Sequence, residues 1–119
     1  MPPERDYSGP GLDKGTGIPH ASLRGVHLRF PGYGPDGPTL EIFQYSELAG
    51  EGEKAVNRPG FGHIAFSVDD VEQARDEVLS HGCSAVGKVV SLSPAPGKTV
   101  TWCYVRDPEG NIIELQSWT

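Results

Sequence analysis

Cysteine is scarce in this chain. Cys83 and Cys103 are the only two, and they show no CxxC spacing. Two are too few for a disulfide framework and read as reduced, buried thiols of a cytoplasmic protein. Long hydrophobic runs are also missing. No stretch approaches the length of a membrane span, and the N-terminal "MPPERDYSGPG" contains no signal-peptide hydrophobic region. Basic residues are outnumbered, with 10 Lys and Arg against 16 Asp and Glu, giving a net charge of −6. That sign argues against nucleic acid or an anionic membrane as a main partner. Apolar residues make up 36% of 119 positions, which allows one domain with one modest core.

What is abundant is glycine (16) and proline (11), so the chain is rich in loops. Residues 1–21 combine Gly, Pro and charge without periodicity and read as an irregular N-terminal arm. "SLRGVHLRF" (22–30) alternates as a strand does, with Val26, Leu28 and Phe30 on one side and His27 and Arg29 on the other. The loop "PGYGPDGP" separates it from a second strand, "TLEIFQYS" (39–46), and together they form a hairpin. Residues 47–60 form a polar linker.

Beyond the linker the pattern restarts. "FGHIAFSV" (61–68) reads as a strand, with Ile64, Phe66 and Val68 opposite His63, Ala65 and Ser67. "DDVEQARDEVLSHG" (69–82) is a helix. Asp69 or Asp70 can cap it, Gly82 stops it, and Val71, Ala74, Val78 and Leu79 form its apolar stripe. "SAVGKVVSL" (84–92) is a further strand. "TVTWCYV" (99–105) and "NIIELQSW" (111–118) make a second hairpin across "RDPEG", which has type I turn chemistry. Residues 61–118 therefore read strand–helix–strand–strand–strand, whereas residues 22–46 match only the last hairpin of such a unit. The two final strands each carry a glutamate between apolar residues, Glu41 and Glu114, which marks an internal repeat of about 73 residues. The first copy lacks an evident first strand and helix.

The motifs "GHIAFSVDDVEQA", "YVRDPEGNIIEL" and "TLEIFQY" resemble the vicinal oxygen chelate superfamily, over about residues 22–118. This group includes glyoxalase I, methylmalonyl-CoA epimerase, extradiol dioxygenases, and fosfomycin and bleomycin resistance proteins. The resemblance implies an α+β fold in which βαβββ modules pair in a curved mixed sheet around a metal. Here a complete module (61–118) would pair with an incomplete first one (22–46) in a single domain, 22–119. Metal ligands in that family come from the first and last strands of each module. Residue by residue, this implies Glu41, His63 and Glu114 as ligands, with the fourth on a strand that this chain lacks.

Strand periodicity supports the same three residues. It sets Glu41 with Phe43 and Tyr45, opposite Leu40 and Ile42, and turns His63 and Glu114 away from the apolar, helix-covered face. Two carboxylates and an imidazole suit a divalent ion such as Zn²⁺, Ni²⁺, Mn²⁺, Co²⁺ or Fe²⁺. By the resemblance, Glu41 or Glu114 would then act as base on a proton α to a carbonyl. The expected activity is a metal-dependent lyase or isomerase of the glyoxalase or epimerase type, acting on a small α-carbonyl compound or thioester. The alternatives are a non-catalytic antibiotic-binding protein of the bleomycin-resistance type and a truncated, inactive family member. Phe43, Tyr45, Trp102 and Trp118 read as core or interface, and His20, His27 and His81 as solvated. An open sheet edge and an uncovered apolar face point to a homodimer.

Overall fold

The computed structural model describes residues 3–50 and 52–119. Met1 and Pro2 of the expected arm, and Glu51 of the expected linker, lie outside the described residues. The elements are β1 (Arg5–Ser8), α1 (Pro10–Thr16), β2 (Ser22–Arg29), β3 (Thr39–Tyr45), β4 (Ile64–Ser67), α2 (Val71–Ser80), β5 (Ser84–Ala95), β6 (Lys98–Arg106) and β7 (Ile112–Trp118). They divide into two compact units, residues 1–51 and 52–119. The fold is α+β, as expected, with its hydrogen-bonded strands in two sheets of orders β1-β2-β3 and β4-β7-β6-β5.

The second unit is the strand–helix–three-strand module read from the sequence. Asp70 caps α2, its carboxylate accepting from the Gln73 amide at 3.0 Å, and the chain turns away through Gly82 at φ 96°. Val71, Ala74 and Val78 of the helix meet Phe66, Cys103, Val105, Ile113 and Leu115 of the sheet. Cys103 and Val105 are fully buried, and these side chains form the core of the unit. Asp107 closes the β6–β7 hairpin. Its Oδ1 accepts from the amides of Glu109 and Asn111, and the Gly110 amide returns to its carbonyl at 2.9 Å. β5 pairs with β6 through a shift in register between Val86 and Val90, where Gly87 adopts φ 67°.

The first unit corrects the reading of residues 1–21 as an irregular arm. β1 lies there, paired antiparallel with β2, and so does the seven-residue α1. Neither leaves much trace in the sequence. Four residues are too few to show alternation, and "PGLDKGT" has two glycines and buries no residue. Local polar contacts hold the helix instead. Gly17 caps it in the left-handed region, and the Asp13 carboxylate accepts from the amides of His20 and Ala21.

β1 does not overturn the expectation that the first module lacks its first strand, because it does not take that strand's place. In the second unit, β4 runs parallel to β7, on the far side from β6. In the first, β1 pairs antiparallel with β2 on the side away from β3, the place that β5 takes beside β6, and among the described residues no strand pairs with the outer edge of β3.

Two substitutions test this account of the second unit by chemical denaturation. Leu115→Ala should cost about 2–5 kcal/mol as a core truncation, and Asp70→Ala about 1 kcal/mol as a lost cap. Equal effects would mean that the helix end, not the sheet-facing layer, limits stability.

Candidate functional site

The open face of the second sheet is set by period two. On β6 and β7 the core takes Cys103, Val105, Ile113 and Leu115, so Trp102, Tyr104, Glu114 and Gln116 fall on the other side. His63 lies one residue before β4 rather than inside a strand, and it extends the face carrying Ala65, which pairs with Glu114. Its Nε2 is 3.2 Å from Glu114 Oε2. With the proton on Nε2 the imidazole donates to the carboxylate; without it, both groups present lone pairs. The two side chains are 31% and 18% exposed, so they are sheltered yet reachable by a small ligand.

Sequence reasoning passed over Tyr104. It stands directly across from Glu114, and its ring meets the His63 ring edge-on at 4.9 Å. Trp102 continues the row at 5.0 Å from Tyr104. Burial, followed by the nearby Glu114 carboxylate, raises the Tyr104 phenol above its ordinary value. The signal was available, because alternation past the buried Cys103 and Val105 points Tyr104 to the Glu114 face. Trp102 and Trp118, read as core or interface, are half-buried and exposed, and the Trp118 indole donates to Gln116 Oε1 at 2.8 Å.

Glu41 belongs to the first unit. Its register partner is His27, with Nε2 3.6 Å from Glu41 Oε1. It shares a face with Phe43 and Tyr45, as the alternation requires, and these three with Tyr7, Leu12 and Leu23 border a hollow of about 290 Å³. Gly25 shapes this surface. The Phe43 ring crosses it so closely that a Cβ there would lie 2.1 Å from Phe43 Cδ1. Neither unit by itself gathers three His, Cys, Asp or Glu side chains into a metal-holding group among the described residues. Each supplies one imidazole and one carboxylate, a donor pair whose chemistry fits a divalent ion of borderline hardness.

A family model of the Glyoxalase/Bleomycin resistance protein/Dioxygenase superfamily matches residues 7–115. The chain belongs to this superfamily. Among its glyoxalase relatives, a probable lactoylglutathione lyase of Vibrio cholerae serotype O1 is 35% identical over 92 residues, covering 74% of this chain and 60% of that protein. The lactoylglutathione lyase of Escherichia coli O157:H7 is 32% identical over 88 residues, covering 74% and 62%. The chain thus spans about three fifths of the length of these curated relatives. A glyoxalase family protein from Bacillus cereus shares the fold, with TM-score 0.79 and 22% identity over 98% of this chain and 75% of that one. No helix among the described residues is long and apolar enough to cross a membrane.

The raised Tyr104 phenol gives a direct test of this face. A group whose folded value is raised stabilises the protein below its unfolded value and loses that contribution as pH rises through the folded one. In an alkaline absorbance titration, the phenolate signal removed by Tyr104→Phe should come in above the ordinary 10.0. Glu114→Gln should move it down, and an unchanged position would separate the two side chains electrostatically.

Proposed function

We propose that this chain is a glyoxalase-type lyase or isomerase dependent on a divalent metal, acting on a small α-carbonyl compound or thioester. The observation that carries the reading is the His63–Glu114 pair, sheltered on the open face of the second sheet. Support also comes from relatives bearing the name lactoylglutathione lyase. Glu41, His63 and Glu114 are the proposed ligands. A bound divalent cation would supply Lewis-acid polarisation of a carbonyl oxygen.

The chain's own residues do the remaining work. Tyr104 packs edge-on against the His63 ring and limits its rotation. Glu114 holds a carboxylate within hydrogen-bond reach of that imidazole, and Glu41 holds one beside His27. Either carboxylate is chemically able to accept a proton α to a carbonyl. The aromatic row of Tyr104 and Trp102 offers an apolar floor for the uncharged part of a substrate.

A second reading is favoured by one observation, the unpaired outer edge of β3, where the second unit has a further strand. On that reading the chain is a family member that binds a small molecule in its open groove without turning it over. Cytoplasmic residence and a homodimer complete the proposal, and light scattering on a size-exclusion column should give twice the 12.8 kDa chain mass.

Metal content decides between the readings. Protein purified without chelator or affinity tag should carry close to one divalent ion per chain or per dimer. Glu41→Gln and His63→Ala should each lose it, and affinity should fall on acidification as protons compete for the ligands. Turnover of α-carbonyl substrates, starting with glutathione adducts of 2-oxoaldehydes, should disappear with the metal. A parent chain that takes up no Ni²⁺, Zn²⁺ or Mn²⁺ would leave the binding-only reading standing.

A further inference from the structure

We propose that His27 is a metal ligand of the first unit, paired with Glu41 and standing in for the ligand whose strand is missing. The inference rests on the metal-dependent reading above and concerns a residue outside its three-ligand set.

Four observations lead to it. First, the strand that could have supplied an imidazole beside β3 is not there; β1 lies on the far side of β2, as β5 lies beside β6, and the outer edge of β3 is open among the described residues. Second, His27 and Glu41 are register partners across the β2–β3 ladder, so the backbone itself fixes their side chains on one face. Their nearest nitrogen and oxygen are 3.6 Å apart, slightly too far for a hydrogen bond and close enough for both to turn to one cation.

Third, the second unit makes the same pair by a different route. There the imidazole of His63 and the carboxylate of Glu114 come from the neighbouring chain segments at β4 and β7, and the same nitrogen, Nε2, faces the glutamate. Fourth, neither His27 nor Glu41 is occupied structurally. The side chains are 50% and 53% exposed, and an ion pair that open to water adds little to stability. Yet the His27 ring is held in place, edge-on to Phe43 at 5.8 Å, and Phe43 can lie there only because residue 25 has no side chain. An imidazole oriented by an aromatic ring, facing a carboxylate and otherwise unengaged, is arranged as a donor rather than as a brace.

The test reads metal binding rather than turnover. Zn²⁺ is titrated into the full chain against a chromophoric chelator, for the parent, His27→Gln, Glu41→Gln, and His20→Asn as a control histidine. In parallel, the imidazole ¹⁵N resonances of the parent are followed with Zn²⁺ added. The parent and His20→Asn should bind alike, whereas His27→Gln should bind at least tenfold more weakly, since even loss of a ligand's supporting partner costs about 10–100-fold. The His27 resonances should shift with added Zn²⁺. That measurement needs no variant, so a poorly folded His27→Gln would not spoil it. If the His27 resonances stay fixed while Glu41→Gln abolishes binding, His27 is not a ligand and the three-ligand reading survives alone. A parent that binds no Zn²⁺ would overturn both.

Discussion

The open face of the second unit depends on the register between β6 and β7. Asp107 sets it by accepting two amide protons within the turn, while its own amide bonds the Asn111 carbonyl. From that fixed start Tyr104 meets Glu114 and Trp102 meets Gln116, while Cys103 and Leu115 go to the helix side. A slip of one residue would exchange the faces, driving a carboxylate under α2 and a leucine into the groove. The buried layer and the polar site are therefore specified together. Burial of Val71, Cys103, Val105 and Leu115 stabilises only the register that also displays Glu114.

The second unit was largely legible in the sequence because its signals are long and mutually consistent. α2 has a capping aspartate, a 3.6-residue stripe and a terminating glycine, and the hairpin has a turn whose residues each have a stated reason to be there. Glu41 and Glu114 could be read because a charge inside an apolar alternation is conspicuous. The same logic ran out in the first unit. β1 is too short to alternate, and α1 has no apolar face, so both depend on contacts such as those of Asp13 that composition does not reveal. Tyr104 was missed for a different reason. Tyrosine is at home in a core as well as in a groove, and only the burial of its neighbours Cys103 and Val105 decides the matter. The position of β1 was not legible at all, since strand order is a property of long-range pairing.

The two units each set an imidazole beside a carboxylate, by two topologies. In the second, imidazole and carboxylate come from chain segments that run parallel; in the first, from a hairpin. A hairpin pair needs only a short loop and its own ladder, so it can form without the helix and crossover that a parallel neighbour requires. A shortened module can thus keep an imidazole beside its glutamate without a parallel neighbour next to its last strand. Aromatic rings orient the histidine in both, Phe43 in one unit and Tyr104 in the other.

The outer edge of β3 has a consequence for how the backbone meets solvent. In an antiparallel ladder every second residue turns its amide and carbonyl toward the partner strand, and the rest turn away. Along Thr39–Tyr45 one half of these groups is tied to β2, and the other half has no strand beside it among the described residues. Amide exchange along this strand should then alternate, slow at one residue and fast at the next, so that the proton-exchange record of a single strand marks where a sheet ends.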